Sequence, residues 1–215
     1  MRTIIFLLLL SLSINSGYSQ RSIKEITHYL FPEFTNGTVV MKTGLRNGTL
    51  LNYNSLTEEM LFIRNGKTLA ITSLEKIDTV FIENRIFIPM QKKFVEVVYH
   101  NHFDLYALHK ATVVDPGKPS AYGGTSHTSA ITPISSFVSG GQTYDLKVPE
   151  GSETIPEIEY WLKQDGKTTM FLSINQLSKL YKGKKSQFKQ YVKVNRVKYE
   201  DPDSLVDLVK FMEEH

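Results

Sequence analysis

A mainly β fold is what this sequence predicts: an antiparallel strand meander forming a sandwich or a partly closed barrel, with a small C-terminal three-helix segment. Three observations carry that expectation. From Thr38 to Val114, short apolar runs rich in Val, Ile, Phe and Tyr are broken every several residues by Asn, Gly or charged pairs, which is strand spacing. Two of those runs, Thr79-Val80-Phe81-Ile82 and Arg85-Ile86-Phe87-Ile88, are apolar on successive residues and ask for cover on both faces. After Ser173 the apolar spacing lengthens to three and four residues, which is helical.

The elements follow in order. Residues 1–19 read as an export signal: Arg2 is the positive start, Ile4 to Leu10 the apolar stretch, and Gly17 and Ser19 the small residues a signal peptidase inspects, leaving Gln20 first. That stretch is far short of the roughly 20 residues that cross a bilayer. Residues 20–114 are the meander. Asn65-Gly66 tolerates the positive φ of a tight hairpin turn, and Glu83-Asn84 is a second turn, with Pro89 ending its outgoing strand for want of a ladder donor. Residues 115–135, rich in Gly, Ser, Thr and Pro, read as a loop or linker.

Within residues 136–172, strands are expected at Gln142 to Val148, Glu157 to Leu162 and Lys167 to Leu172, completing the first sheet or a second one packed on it. Residues 173–215 form the helical part. Ser173 with Gln176 makes a capping box ahead of Ile174, Leu177, Leu180 and Tyr181. Phe188, Tyr191 and Val192 repeat at helical spacing, as do Leu205, Leu208, Val209 and Met212 behind the Asp201-Pro202 start.

The export signal ending in Ser-Gln, the meander, the stretch Tyr-Lys-Gly-Lys-Lys-Ser-Gln-Phe-Lys-Gln-Tyr-Val-Lys-Val-Asn and the closing amphipathic helix together resemble uncharacterised secreted β-rich proteins of Bacteroidota. The resemblance implies export and carries no activity. Composition agrees. The chain has no cysteine, so it has no disulfide framework, which suits a bacterial periplasmic or extracellular protein better than a small eukaryotic secreted domain. Its 25 basic and 22 acidic residues leave too small an excess for general affinity to polyanions, so nucleic acid is not an expected partner. The lysines between Lys179 and Lys198 fall on positions left over by the apolar ones, and are expected to form a solvated helical face.

Few residues suggest chemistry. His100-Asn101-His102-Phe103-Asp104 resembles the opening of the zinc motif of metallo-β-lactamase-like hydrolases, because alternate strand residues would put His100, His102 and Asp104 on one face. That pattern continues with a second His where this chain has Leu105, and a turn at His100-Asn101 accounts for the same residues. Gly124-Thr125-Ser126-His127-Thr128 lacks the second glycine of a nucleophile elbow. Asn36-Gly37-Thr38 and Asn47-Gly48-Thr49 fit the glycosylation pattern and equally fit turns.

The residues placed to touch a ligand are Tyr122 and His127 in the loop, and the aromatic pair Tyr160 and Trp161 in a strand. The expected protein is therefore an exported soluble binding or envelope-accessory module without catalytic activity or cofactor, with an envelope protein or a glycan as partner. A metal-dependent hydrolase using His100, His102 and Asp104, and a carrier of lipid or another small ligand, are the alternatives.

Overall fold

The computed structural model describes residues 28–114, 118–119, 125–126 and 153–214. The export signal expected over residues 1–19, the strand expected at Gln142 to Val148, and the loop residues Tyr122 and His127 lie outside the described residues.

Ten strands form one antiparallel sheet: β1 (Thr35–Met41), β2 (Arg46–Asn54), β3 (Glu59–Arg64), β4 (Lys67–Ala70), β5 (Ile77–Ile82), β6 (Arg85–Met90), β7 (Lys93–His100), β8 (Asp104–Val114), β11 (Glu153–Gln164) and β12 (Lys167–Phe171). Two-residue strands β9 (Lys118–Pro119) and β10 (Thr125–Ser126) pair separately. The sheet order is β12-β11-β8-β7-β6-β5-β1-β2-β3-β4. A simple meander would seat β5 beside β4; instead the chain crosses back through a 3-10 turn at Leu74–Lys76 and seats β5 against β1. The four-residue β4 has no fully buried side chain, whereas β5 buries Ile77, Val80 and Ile82 and takes a central place. The late strands β11 and β12 extend this same sheet.

Turn chemistry fixes the register. Asn65 and Gly66 both take positive φ between the paired Arg64 and Lys67, as expected of that dipeptide. Asp165-Gly166 does the same between Gln164 and Lys167. Glu83 takes the left-handed conformation at its turn, and so do Gln91 and Lys92 between Met90 and Lys93, where no Gly or Asn announces a hairpin.

Pro89 does not end β6, which continues to Met90. Counting alternate residues from the closing pair Ile82 and Arg85, the nitrogen of Pro89 faces the β5 side, where pairing has already stopped at Phe87. Pro156 within β11 obeys the same rule: counted from Gln164, its nitrogen faces the β12 side, beyond the last pair of Tyr160 with Phe171. The expected turn at His100-Asn101 is also displaced. His100 remains in β7 opposite Asp104, and residues 101–103 make the turn, closed by the Asn101 N–H to the Phe103 carbonyl at 3.1 Å.

The sheet is not closed by a ladder, but it rolls until the β2–β3 end meets β8. The Ala111 N–H donates to the Ser55 carbonyl at 2.9 Å, and the Tyr53 hydroxyl donates to the His109 carbonyl at 3.0 Å. Lys93 and Lys110 both pair with Glu58 across the same gap. Inside the roll, Phe31, Leu51, Tyr53, Val80, Phe87 and Phe94 form one core. On the outer face of β6 cover is partial: Ile86 is 38% exposed, while Ile88 and Met90 pack against Val95, Tyr106 and Leu108.

Beyond β7 the same face is covered by helices α1 (Ile174–Ser178), α2 (Lys185–Asn195) and α3 (Pro202–Glu214). The Ser173 hydroxyl caps α1 by accepting the Gln176 N–H, while the Gln176 side chain accepts the Leu172 N–H at 2.7 Å. Helix α2 ends on Arg196 in the left-handed conformation. Leu205, Leu208, Val209 and Met212 of α3 pack with Phe188, Leu162, Phe171 and Tyr160 into a second core. No helix among the described residues is long and apolar enough to cross a membrane.

Candidate functional site

Strand alternation puts Phe94 and Glu96 of β7, Ala107 and His109 of β8, and Ile158 and Tyr160 of β11 on one face, with Glu96 opposite Ala107 and Ala107 opposite Tyr160. This row lies between the two cores. On it opens a cleft of about 550 Å³, bounded on one side by Ser55, Asn84 and Arg85 and on the other by Glu200, Pro202 and Asp203 at the start of α3.

Three charged or polar side chains seam the floor. Arg85 grips Glu96 with two N–H groups, the Nε bond to Oε1 measuring 2.6 Å. His109 Nε2 sits 2.6 Å from Glu96 Oε2 and 2.8 Å from Arg85 Nη2. Nε2 donates to Glu96 when it carries the proton, and accepts from Arg85 in the other tautomer. Arg85 also lies over the rings of Phe31 and Phe87, at 5.4 and 5.6 Å from their centroids. Burial alone would raise the Glu96 carboxyl, but hydrogen bonds from His109 and Arg85 and their charge outweigh it and bring it down to about 2. The seam is thus an internally satisfied network, and it makes a rigid floor.

Tyr160 is different. It is fully buried, its ring stacked on Phe171 at 5.6 Å and edge-on to Tyr199 at 5.2 Å, yet its hydroxyl has no hydrogen-bond partner among the described residues. Burial, and then the negative charge of groups that include Glu96 and Glu200 of the cleft, push that hydroxyl above its ordinary range, so it stays protonated. By contrast Tyr199, whose hydroxyl is pushed up to about 12 chiefly by burial, donates to the Ile158 carbonyl at 2.6 Å. Around the cleft mouth, Glu157, Glu200 and Asp203 are exposed and form no ion pair among the described residues.

The neighbouring aromatic candidates Tyr160 and Trp161 are placed on opposite faces by the pleat. Tyr160 faces the cleft, while Trp161 faces the other side of the sheet and packs against the cluster of Val95, Tyr106 and Leu108. The three-residue metal cluster is split too. His100 Nδ1 meets Asp104 Oδ1 at 2.5 Å, but His102 is an exposed turn residue, and among the described residues no three His, Cys, Asp or Glu side chains gather to hold a metal. The other Asp104 oxygen takes the Tyr106 hydroxyl at 3.0 Å and the Lys163 ammonium at 3.2 Å, so a cation already sits there. Burial would raise the Asp104 carboxyl; the bonds from His100, Lys163 and Tyr106 hold it below its ordinary value instead. Asp104 is a clasp for the β7–β8 end.

Sequence spacing pointed to none of Arg85, Glu96 and His109. The available signal was a charge in phase with core residues: Glu96 sits two residues after Phe94 within the apolar run from Phe94 to Tyr99. No protein-family model matches the chain, and no curated protein or solved structure is significantly similar to it.

Proposed function

We propose that the chain is an exported binding module that holds a neutral, polyhydroxylated ligand, the chemistry of a glycan, in the cleft between β7, β8, β11 and the start of α3. The observation that carries this is the buried Tyr160 hydroxyl without a partner beside a rigid, acid-rimmed cleft. Leaving a buried donor unsatisfied costs about 1 to 3 kcal/mol, a cost that a ligand oxygen would remove once the Tyr160 hydroxyl, sealed from solvent in the free protein, opens to the cleft. The rim carboxylates of Glu157, Glu200 and Asp203 accept hydrogen bonds from ligand hydroxyls and repel anions. Ile158, Pro156 and Pro202 give apolar surface for the flat side of a sugar ring, and the volume is of small-ligand size. Nothing in the arrangement supplies a nucleophile with an adjacent free base.

The test is a thermal-shift panel of neutral mono- and disaccharides, with sugar acids as controls, on the wild type and Tyr160→Phe. Without ligand, Tyr160→Phe is expected to be as stable as the wild type or more stable by up to about 1 kcal/mol, because it removes an unpaired buried hydroxyl. With a binding saccharide, the wild-type midpoint rises and the variant's does not. A loss of 2 kcal/mol or more in the unliganded variant would show that the hydroxyl serves the fold, and would remove the reading's support. Export itself is checked by the intact mass of secreted protein, expected to begin at Gln20.

A further inference from the structure

The sealed Tyr160 hydroxyl meets a ligand only if one wall of the cleft moves, and the walls are not equally fastened. Strands β7, β8 and β11 are held by ladder pairing, and Arg85 on the far side is tied to Glu96. The remaining wall is Glu200, Pro202 and Asp203, on the connection that runs from Arg196 into α3. Its hydrogen bonds turn inward. The Val197 N–H returns to the Val192 carbonyl at 3.1 Å, and the Asp201 N–H closes on the Lys198 carbonyl at 3.3 Å. The Ser204 hydroxyl accepts the Lys198 N–H at 3.3 Å and lies 3.0 Å from the Lys198 carbonyl.

Tyr199 alone reaches out. Among the described residues its hydroxyl makes the connection's only hydrogen bond to the sheet, donating to the Ile158 carbonyl at 2.6 Å, with the Phe171 carbonyl sharing that proton at 3.2 Å. Both acceptors stand where β12 stops, at the pair of Tyr160 with Phe171, while β11 runs on toward Glu153 without a described partner on that side. A carbonyl on such an edge passes to water when the hydroxyl leaves, so release costs only the small net worth of a hydrogen bond. The Tyr199 ring also lies edge-on to the Tyr160 ring, at 5.2 Å. On either side of this stretch the chain is anchored, since Val197 and Leu205 are buried in the second core.

We infer that Tyr199 is the latch of the cleft: when its hydroxyl leaves the Ile158 and Phe171 carbonyls, residues 198–201 swing out between the anchors Val197 and Leu205, and the Tyr160 hydroxyl opens to a ligand. This entry step rests on the reading of the cleft as a ligand site.

Amide exchange followed by mass spectrometry compares the wild type with Tyr199→Phe, which keeps the ring and removes the latch. A fragment spanning residues 196–204 is expected to exchange roughly tenfold faster in the variant, while fragments of β8 and of α3 beyond Leu205 do not change. A second readout uses the absence of native cysteine. Ala107→Cys places a single thiol on the cleft floor opposite Tyr160, at a position now sealed from solvent, and its alkylation by iodoacetamide is expected to quicken by the same factor when Tyr199→Phe is added. Low urea is expected to leave that rate unchanged, because local opening exposes little surface.

Equal exchange over residues 196–204 in the two proteins would overturn the latch. Acceleration shared by β8 and α3, or alkylation that rises steeply with urea, would overturn it as well, since Tyr199 would then hold the fold as a whole. So would a thiol that labels no faster with Tyr199→Phe. Neither readout contains a saccharide: a latch that fails leaves the saccharide panel to judge the cleft, and a panel that fails while both rates rise strikes the cleft reading and leaves the moving wall.

Discussion

Replacing Glu96 by alanine is expected to lower the free energy of unfolding by about 3 to 5 kcal/mol at neutral pH, because it leaves the Arg85 guanidinium largely buried without its carboxylate. Urea denaturation measures it. The size follows from where the pair sits: the side chains of Arg85 and Glu96 are 25% and 14% exposed, so water replaces little of what is lost. The double replacement Arg85→Met, Glu96→Leu is expected to recover most of the loss, since removing both charges removes the desolvation cost as well. If the single variant lost under about 1 kcal/mol, the seam would be behaving as a surface ion pair and could not serve as a rigid cleft floor.

The same group sets an acid limit. The Glu96 carboxyl titrates near 2 in the folded chain against an ordinary value of 4.5, so the folded state holds its charge more strongly than the unfolded one does. Its contribution, roughly 3 kcal/mol at most, is complete above about pH 4.5 and is lost as pH falls toward 2. Asp104, also held below its ordinary value, acts in the same direction. Wild-type stability is therefore expected to fall between about pH 5 and 2, and Glu96→Gln to flatten that fall while starting from a lower plateau.

How much of this was legible in the sequence depends on the range of the interaction concerned. The Asn65-Gly66 hairpin, the Ser173 cap and the Asp201-Pro202 helix start were readable because each is decided within four residues. The β6–β7 hairpin was not, since Gln91 and Lys92 are driven into positive φ by the pairing of the strands on either side rather than by their own preference. Pro89 and Pro156 misled in proportion: a missing donor matters only on a paired edge, and which edge is paired is a property of the whole sheet. The return of β5 to β1 is likewise a long-range choice.

The site shows the same division. Tyr160 was singled out as an aromatic in a strand, but its separation from Trp161 follows from the pleat, and its unpartnered hydroxyl from packing by Phe171 and Tyr199. Arg85, Glu96 and His109 come from three strands and up to 24 residues of separation, so no local motif could assemble them.

Gly37→Ala is expected to cost about 3 kcal/mol, while Gly48→Ala, on the neighbouring strand, is expected to change stability by less than about 0.5 kcal/mol. The two glycines look alike in the sequence, each the centre of an Asn-Gly-Thr triplet that reads equally as a turn or a glycosylation site. In the fold neither is a turn. Gly37 lies in β1, between Thr49 of β2 and Ile82 of β5, and a Cβ added there would stand 2.6 Å from Leu51 Cδ1 and 2.6 Å from the Phe81 carbonyl oxygen. Leu51 is fully buried, and the Phe81 oxygen is backbone of a paired strand, so neither can yield without disturbing the core or the ladder. At Gly48 the nearest atom to an added Cβ is 3.9 Å away, an ordinary contact. Equal urea midpoints for the two variants would mean that β1 is not held between β2 and β5 as described, and the crossover that seats β5 beside β1 would fall with it.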